Sequence, residues 1–439
     1  MNSNIKSFFT WISHPEELVC SVLYLLRHST PEEANTKMKS SGQLKKCYQF
    51  LEDTSRSFAT VIQEIHPKLR DAICIYYLVL RGLDTIEDDM GINIQYKKSL
   101  LLDFHTHLYE IGWSFDESSP DEKDAPLLME FHVVIDEFLK LDKEYQKSIA
   151  EITKQMGEGM ALFLDRRINS VDDWNEYCHY VAGLVGIGLS KLFYYSGLED
   201  KKFLDAEKIF LTSKHSLLIF IFYSSSNSMG LYLQKANIIR DVNEDLLDDR
   251  RFWPTEIWSK HVNYIRDLVL NKDQTKGVHC LNEMCLNTFD HLPDVIEYLS
   301  MIRDPTIFNF CAIPQTMAIA TIAACLNNEL VMQENVKIRK GEAIRIIYEA
   351  SSMNNCLKIF IRYLDAMKKN ISRSPDDPNY SKIVNKIDTL RANIRARAKY
   401  GLFDYIPKSA FAAVIVFLVF YSIRAFMLYI IASARANRK

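Results

Sequence analysis

Asp84, Glu87 and Asp88, in the stretch LVLRGLDTIEDD, are three carboxylates spaced three and four residues apart. On a helix that spacing brings them to one face. Such a stripe suits a hard divalent cation such as magnesium, which favours carboxylate and phosphate oxygens. Alone, it equally suits a solvated acidic face. The same spacing returns much later in IIRDVNEDLLDD as Asp241, Glu244 and Asp245. Each copy follows an apolar run and has an arginine just upstream, Arg81 or Arg240, able to neutralise a phosphate. Two acidic stripes on separate helices point to a shared metal–diphosphate site. Facing each other over an apolar cavity, they would ionise an allylic diphosphate and keep the carbocation away from water. Asp89 falls off the first stripe and reads as a solvated neighbour. A di-iron carboxylate bundle would need two Glu-x-x-His pairs, and the chain offers one, Glu176 to His179.

The elements that must hold these residues read as helices throughout. Gly (14) and Pro (12) are scarce in 439 residues, below ordinary usage. The length prior suggests about three domains, but the periodicity argues for one all-α body over residues 1–370. Leu44, Cys47, Tyr48 and Leu51 share a helical face, and His66–Pro67 ends that segment. The polar stretch 114–126 is a loop. AEITKQMGEGMALFLD, WNEYCHYVAGLVGIGLSKLFYYSG and NSMGLYLQKANIIRDVNED are long helices, the second rich in glycine and so expected to fit closely against something. IFNFCAIPQTMAIATIAAC is read as a core helix, because Asn309, Pro314 and Gln315 interrupt it as a membrane span. There is no internal repeat.

A formal net charge of -3 with no basic stripe excludes a nucleic-acid partner. The nine cysteines are scattered without metal-ligand spacing and read as reduced thiols in a cytosolic core. The N-terminus lacks the basic start and apolar stretch of a secretory signal. SRSPDDPNYSK is read as a linker, so that residues 371–408 form a linker with a basic flank (Arg391, Arg395, Arg397, Lys399). Residues 409–434 are apolar except for Arg424 and long enough for one membrane-spanning tail anchor. The body would then face the cytosol.

The motifs TSRSF, YYLVLRGLDTIEDDM, YCHYVAGLVGIGLS, LQKANIIRDVNED, FWP and FNFCAIPQTMAIAT, in this order, resemble the eukaryotic squalene synthases, the farnesyl-diphosphate farnesyltransferases. The likeness runs from HPEEL near the N-terminus to about Asp365. It implies an isoprenoid-synthase fold, all-α around one large cavity, with two farnesyl diphosphates as substrates and magnesium and NADPH as cofactors. It also implies a monomer attached to the endoplasmic reticulum membrane. By the same resemblance Asp84, Glu87, Asp88, Asp241 and Asp245 bind magnesium. Ser55, Arg56, Arg81 and Arg240 contact phosphates of substrate or NADPH, Arg250 contacts diphosphate, and Lys337 and Arg339 serve NADPH. Gln234 and Asn237 line the cavity, Tyr177 is the acid–base residue, and Phe58 and Phe310 lie near the later carbocations. A π-face can stabilise a cation, but on spacing alone Tyr177, Phe58 and Phe310 would read as core residues and KIRKG as an ordinary basic turn.

One stretch departs from the family pattern. FLTSKHSLLIFIFYSSS (Phe210 to Ser226) interrupts text that in the family runs almost directly on, and its apolar run reads more like a strand. It is either a translated intron or a lineage-specific loop. Two rival functions stand beside the family reading: another head-to-head prenyl synthase, of phytoene or dehydrosqualene type, and a tail-anchored relative without activity.

Overall fold

The computed structural model describes residues 14–28, 42–55, 57–203, 225–270 and 274–401. Arg56, most of the interrupting stretch (210–224) and the expected anchor (409–434) lie outside the described residues. Helices account for the architecture, and no strand occurs among the described residues. In chain order the first are α1 (Pro15–His28), α2 (Gln43–Ser55), α3 (Ser57–Gln63), α4 (Pro67–Asp88), α5 (Ile94–His107), α6 (Lys143–Phe163), α7 (Val171–Cys178) and α8 (Leu184–Tyr195). After these come α9 (Ser225–Arg240), α10 (Val242–Leu247), α11 (Thr275–Thr288), α12 (Leu292–Met301), α13 (Pro305–Cys325), α14 (Lys340–Glu349), α15 (Met353–Ile371) and α16 (Tyr380–Arg397), while Ala125–Met129, His132–Phe138, Thr255–Trp258 and Asp267–Leu270 form short helices left unnumbered.

Local chemistry sets the ends of the helices that matter most. α4 starts on Pro67, whose missing N–H costs nothing in the first turn, with the His66 ring accepting from the Lys68 N–H. α7 opens on a capping box in which Ser170 and Asp173 satisfy each other's backbone N–H groups. α13 opens on Asp304, which accepts from the N–H groups of Thr306 and Ile307 at 2.8 and 3.1 Å. α7 and α8 form one rod, joined by a single π turn at His179–Gly183. Such a turn inserts one residue into the helical register and recurs at functional sites.

α9 is the axis of the molecule, packed against the π turn and α8, α11, α12 and α13. α4 lies across α6 and α8, and α3 joins α4 to α13. Of the glycines expected to fit closely, Gly183 and Gly186 do so against α9, while Gly188 fits against Tyr76 of α4 and Ile152 of α6. A Cβ on Gly186 would lie 2.3 Å from the Ser226 carbonyl oxygen, and one on Gly230 would lie 2.1 Å from that of Ala182. Backbones this close leave no room for side chains, so the two helices can cross only where glycine stands. α13 is the one helix, among the described residues, long and apolar enough to cross a membrane, but 67% of its apolar window is buried inside the fold. It is a core helix.

The stretch read as a linker is folded onto the body. Asp377 is 4% exposed and accepts from Asn282 Nδ2 at 2.9 Å and the Asn379 N–H at 2.7 Å. α16 then buries Ile383, Ile387, Leu390 and Ile394 on one stripe and packs on α15. The basic flank is paired with acids of the body: Arg391 with Asp365 and Asp388, Arg395 with Asp365, and Arg397 with Glu297. All nine cysteines are buried and none forms a disulfide.

Replacing Gly230 with Val should destabilise the fold by about 2–3 kcal/mol, the cost of overpacking a closed interface. A thermal unfolding midpoint equal to that of the parent protein would refute this account of the α8–α9 crossing.

Candidate active site

The last two turns of α4 carry Asp84 and Glu87, both half-buried, and Asp88, which is exposed. Burial pushes the Asp84 carboxyl up to about 7, with Asp88 and Asp124 adding to the effect and Arg81 opposing it. Burial likewise raises Glu87, helped by Asp88 and then Asp84. The end of α4 is steadied by Lys97, 5% exposed, whose ammonium donates to the Glu87 carbonyl oxygen at 2.7 Å. A cation there meets the negative end of the helix dipole.

Asp89 is not a solvated neighbour. It is 2% exposed and accepts from the Ser119 N–H at 2.7 Å, the Ser119 hydroxyl, and the Gly91 N–H at 2.9 Å. Burial alone would raise its carboxyl, but these donors outweigh burial and hold it below the usual range. It therefore fastens the polar loop after α5 to the end of α4. Periodicity alone could not reveal this, because the donors come from a distant loop.

The second acidic motif is bent rather than helical throughout. α9 ends at Arg240, and Asp241 caps α10 with φ -94° and ψ 8°. Asp245 is buried, which pushes its carboxyl up to about 7, with Asp241, Asp88 and Glu244 adding and Arg250 opposing. Arg250 joins the two motifs, with Nη1 3.1 Å from Asp88 Oδ1 and Nη2 3.2 Å from Asp245 Oδ1. Its guanidinium also lies 6.0 Å from the centre of the Phe252 ring. Arg240, expected to be available for phosphate, instead holds Asp241 with a two-pronged pair at 2.8 and 2.5 Å. Among the described residues no three acid, histidine or cysteine side chains converge tightly enough to hold a metal by themselves.

Below these motifs lies a cavity of 340 Å³. Phe58, Tyr77 and Phe310 form an aromatic wall, with Phe58 5.5 Å from Phe310 and 6.3 Å from Tyr77 between ring centres. Gln234 and Asn237 of α9 line it, while Arg81 and Asp84 put charge at its edge. Arg81 leans on Tyr77, 5.8 Å from the ring centre, and its Nε has no hydrogen-bond partner. Gly186 and Gly230 also line the cavity, so the close helix crossing forms part of its wall.

The remaining expected residues are placed as follows. Tyr177 is buried, stacked on Phe252 at 5.1 Å and edge-on to Phe163 at 5.3 Å. Burial, with Glu87 and Asp88 next, pushes its phenol well above the ordinary value. Ser55 donates to the Leu51 carbonyl at 2.5 Å, within α2. Lys337 is exposed, whereas Arg339 pairs with the buried Glu17 of α1 and with Glu342. Phe252 and Asn335 carried no signal by themselves in the sequence. Asn335 Nδ2 donates to Asp241 Oδ1 at 2.6 Å and to Glu244 Oε2 at 3.2 Å.

If Arg250 is the cation that lets Asp88 and Asp245 face each other, Arg250→Gln should lower stability by about 1–2 kcal/mol. Adding Asp245→Asn should recover much of that loss, read as a double-mutant cycle of unfolding free energies. Strict additivity of the two changes would rule the bridge out.

Comparison with known proteins agrees with this geometry. A family model described as squalene/phytoene synthase matches residues 51–342. A squalene synthase of Schizosaccharomyces pombe is 46% identical over 376 residues, covering 84% of this chain and 77% of that protein. The squalene synthase of Homo sapiens is 45% identical over 387 residues, covering 88% of each chain. A solved structure described as the complex of TcSQS with the ligand E5700 superposes with a TM-score of 0.74 at 38% identity, covering 81% of this chain and 98% of that one. An all-helical body, two acidic motifs meeting beside an apolar cavity, and these matches lead to one conclusion: the chain belongs to the squalene/phytoene synthase family.

Proposed function

We propose that this chain condenses two molecules of farnesyl diphosphate into presqualene diphosphate and reduces that intermediate with NADPH to squalene, the first committed step toward sterols. The observation that carries the reading is the meeting of the two acidic motifs beside one apolar cavity, with Arg250 between Asp88 and Asp245. The name shared by the relatives, squalene synthase, supports it.

Magnesium fits the donors present. Asp84, Glu87, Asp88, Asp241 and Asp245 offer hard oxygens, and burial, with neighbouring carboxylates adding to it, pushes the Asp84 and Asp245 carboxyls up to about 7. The want of a complete protein cage is no obstacle, since magnesium usually keeps waters and takes phosphate oxygens besides one or two carboxylates. Bound there, it would neutralise the departing diphosphate, and NADPH would supply the hydride of the second half.

The chain's own side chains do the rest. Arg81 and Arg250, and Arg240 once released from Asp241, stabilise charge on the diphosphate as its bond to carbon breaks. Condensation forms a carbon–carbon bond to the second farnesyl chain, and a proton leaves to close the cyclopropane ring. The faces of Phe58, Tyr77 and Phe310 support positive charge by about 0.5–2 kcal/mol each, while the apolar walls exclude water. Gln234 and Asn237 supply the few polar contacts that orient the chains. The Tyr177 phenol, kept protonated by its surroundings, serves as a hydrogen-bond donor beside the first motif before it serves as a base. Lys337 and Arg339 take the phosphates of NADPH, and Ser55 and Arg56 contact phosphates of substrate or NADPH.

The chain acts as a monomer, with residues 409–434 attaching it to the endoplasmic reticulum membrane and the body in the cytosol. A product that partitions into lipid makes such attachment useful.

Full-length protein given magnesium and farnesyl diphosphate should make presqualene diphosphate, and squalene once NADPH is added, with products read by mass spectrometry. A phytoene- or dehydrosqualene-type product with NADPH present, or no product, would sink the proposal. Asp84→Asn and Asp245→Asn should each lower the first half-reaction at least about tenfold, the loss of one charge-assisted contact. Lys337→Ala should instead raise the KM for NADPH and let presqualene diphosphate accumulate.

A further inference from the structure

Lys235, on α9, is 1% exposed. Its ammonium donates to Asn175 Oδ1 of α7 at 2.5 Å, to Asn287 Oδ1 of α11 at 2.6 Å and to His291 Nε2 at 2.9 Å. It also lies 4.7 Å from the centre of the Trp174 ring, on α7. Three acceptors need three N–H donors, which only the charged form of lysine supplies. Burial lowers the ammonium to about 8, with Cys178, Asp290 and Asp172 opposing the fall, so it is charged at neutral pH. His291 is suited to accept, because burial and then the Lys235 charge push its ring well below the ordinary range and keep it neutral. The hydrogen-bond partners are thus two amides and an imidazole, none of them a carboxylate. A buried charge without an ion partner is costly. Trp174 nevertheless keeps its ring face to the cation while its own buried Nε1 finds no acceptor. The cation, not the indole N–H, sets where that ring lies.

What this contact holds is the roll of α7. That helix is eight residues long and runs straight into the π turn. A π turn shifts the helical register, so α8 does not by itself fix how α7 is rolled. Asp173 and Glu176 of α7 pair with Arg166, in the loop just before it. Those local ties leave the roll of α7 against α9 open. Asn175 and Tyr177 stand two residues apart and so point to opposite sides of α7. Asn175 turns to Lys235, while Tyr177 turns to Phe252 at the mouth, where Glu87 and Asp88 act on its phenol. A roll of α7 that breaks the Asn175 tie therefore swings Tyr177 away from the first acidic motif. On α9, Gln234 just before Lys235 and Asn237 two residues after it line the cavity. One ammonium joins the helix of Tyr177 to the helix that orients the substrate chains.

We propose that Lys235 is a positioning residue for the proton step of the first half-reaction: by holding Asn175 and Trp174 against α9 it fixes the roll of α7, and with it the place of the Tyr177 phenol beside Glu87 and Asp88. This rests on the reading of Tyr177 as the acid–base residue. Lys235 itself does not line the cavity and acts through α7. The diphosphate contacts, on α4 and the α9–α10 bend, do not depend on that roll, so substrate binding is spared while turnover is lost.

The test is steady-state formation of presqualene diphosphate by the full chain with magnesium and farnesyl diphosphate. Asn175→Leu cuts the tie to α7 and should lower kcat at least about tenfold, as a small misplacement of a catalytic group can. Its KM for farnesyl diphosphate should stay within about twofold of the parent protein. Asn287→Leu cuts the tie to α11 but leaves α7 held, so both its kcat and its KM should stay within about twofold. Each variant should lower the thermal unfolding midpoint, because each leaves an ammonium N–H without an acceptor. Asn175→Ala should repeat the Asn175→Leu result and guards against misfolding of the bulkier variant. Equal losses of kcat at positions 175 and 287, or a raised KM with kcat unchanged at 175, overturn the positioning role. Tyr177→Phe should lose at least as much kcat as Asn175→Leu. A loss in Tyr177→Phe with none in either Asn175 variant overturns the role of Lys235 alone. A Tyr177→Phe variant as active as the parent overturns the acid–base assignment, and the role of Lys235 falls with it.

Discussion

Carboxylates that face one another across a gap repel, and the active end of this molecule is organised around that repulsion. α4 and the α9–α10 bend deliver Asp88 and Asp245 to the same place, with Asp84, Glu87 and Asp241 close behind. Arg250 stands between the facing pair, Arg240 grips Asp241, Lys97 braces the end of α4, and Asn335 caps the free edge of the second motif. Each counter-group is itself placed by packing: Arg250 over Phe252, which lies on Tyr177, and Lys97 on the buried face of α5. The result is a set of acids, with burial raising the Asp84 and Asp245 carboxyls, ready for a cation directly above a cavity lined mostly by apolar side chains.

That cavity exists because two helices come closer than side chains allow. Gly186 on α8 and Gly230 on α9 let backbone meet backbone, and the π turn before α8 resets the register between Tyr177 and the glycine-lined wall. Wide space for a prenyl chain and tight contact between helices are therefore not rival explanations of the glycines. The crossing is tight on one side so that the wall can be smooth on the other.

The cavity-lining positions Phe58, Gln234, Asn237 and Phe310 come from the family resemblance, whereas the helical class and the pairing of the acidic motifs are legible in residue order. Spacing carries that information, because a helix converts it directly into a shared face. What escaped depends on contacts across long separations. Asp89 looks solvated until Ser119 arrives from the following loop. SRSPDDPNYSK has the composition of a linker, but Asp377 finds Asn282 and the isoleucine stripe of α16 finds α15. Arg240 reads as a phosphate contact, and its engagement with Asp241 shows only once α9 ends beside it. Asn335 has no pattern at all, since a lone amide in an extended segment takes its meaning from what lies opposite.

The buried cysteines give the molecule a second use. Thiols stand in α1, α2, α4, α7, α11, α13 and α15, and burial leaves none of them open to reagent in the closed fold. Alkylation can then proceed only when the helix that carries a given thiol opens. Labelling rates for Cys178 beside Tyr177, Cys311 in the cavity wall and Cys20 in α1 would each time a different local opening. The untouched protein thus holds built-in clocks for how its parts loosen, with no probe to be engineered.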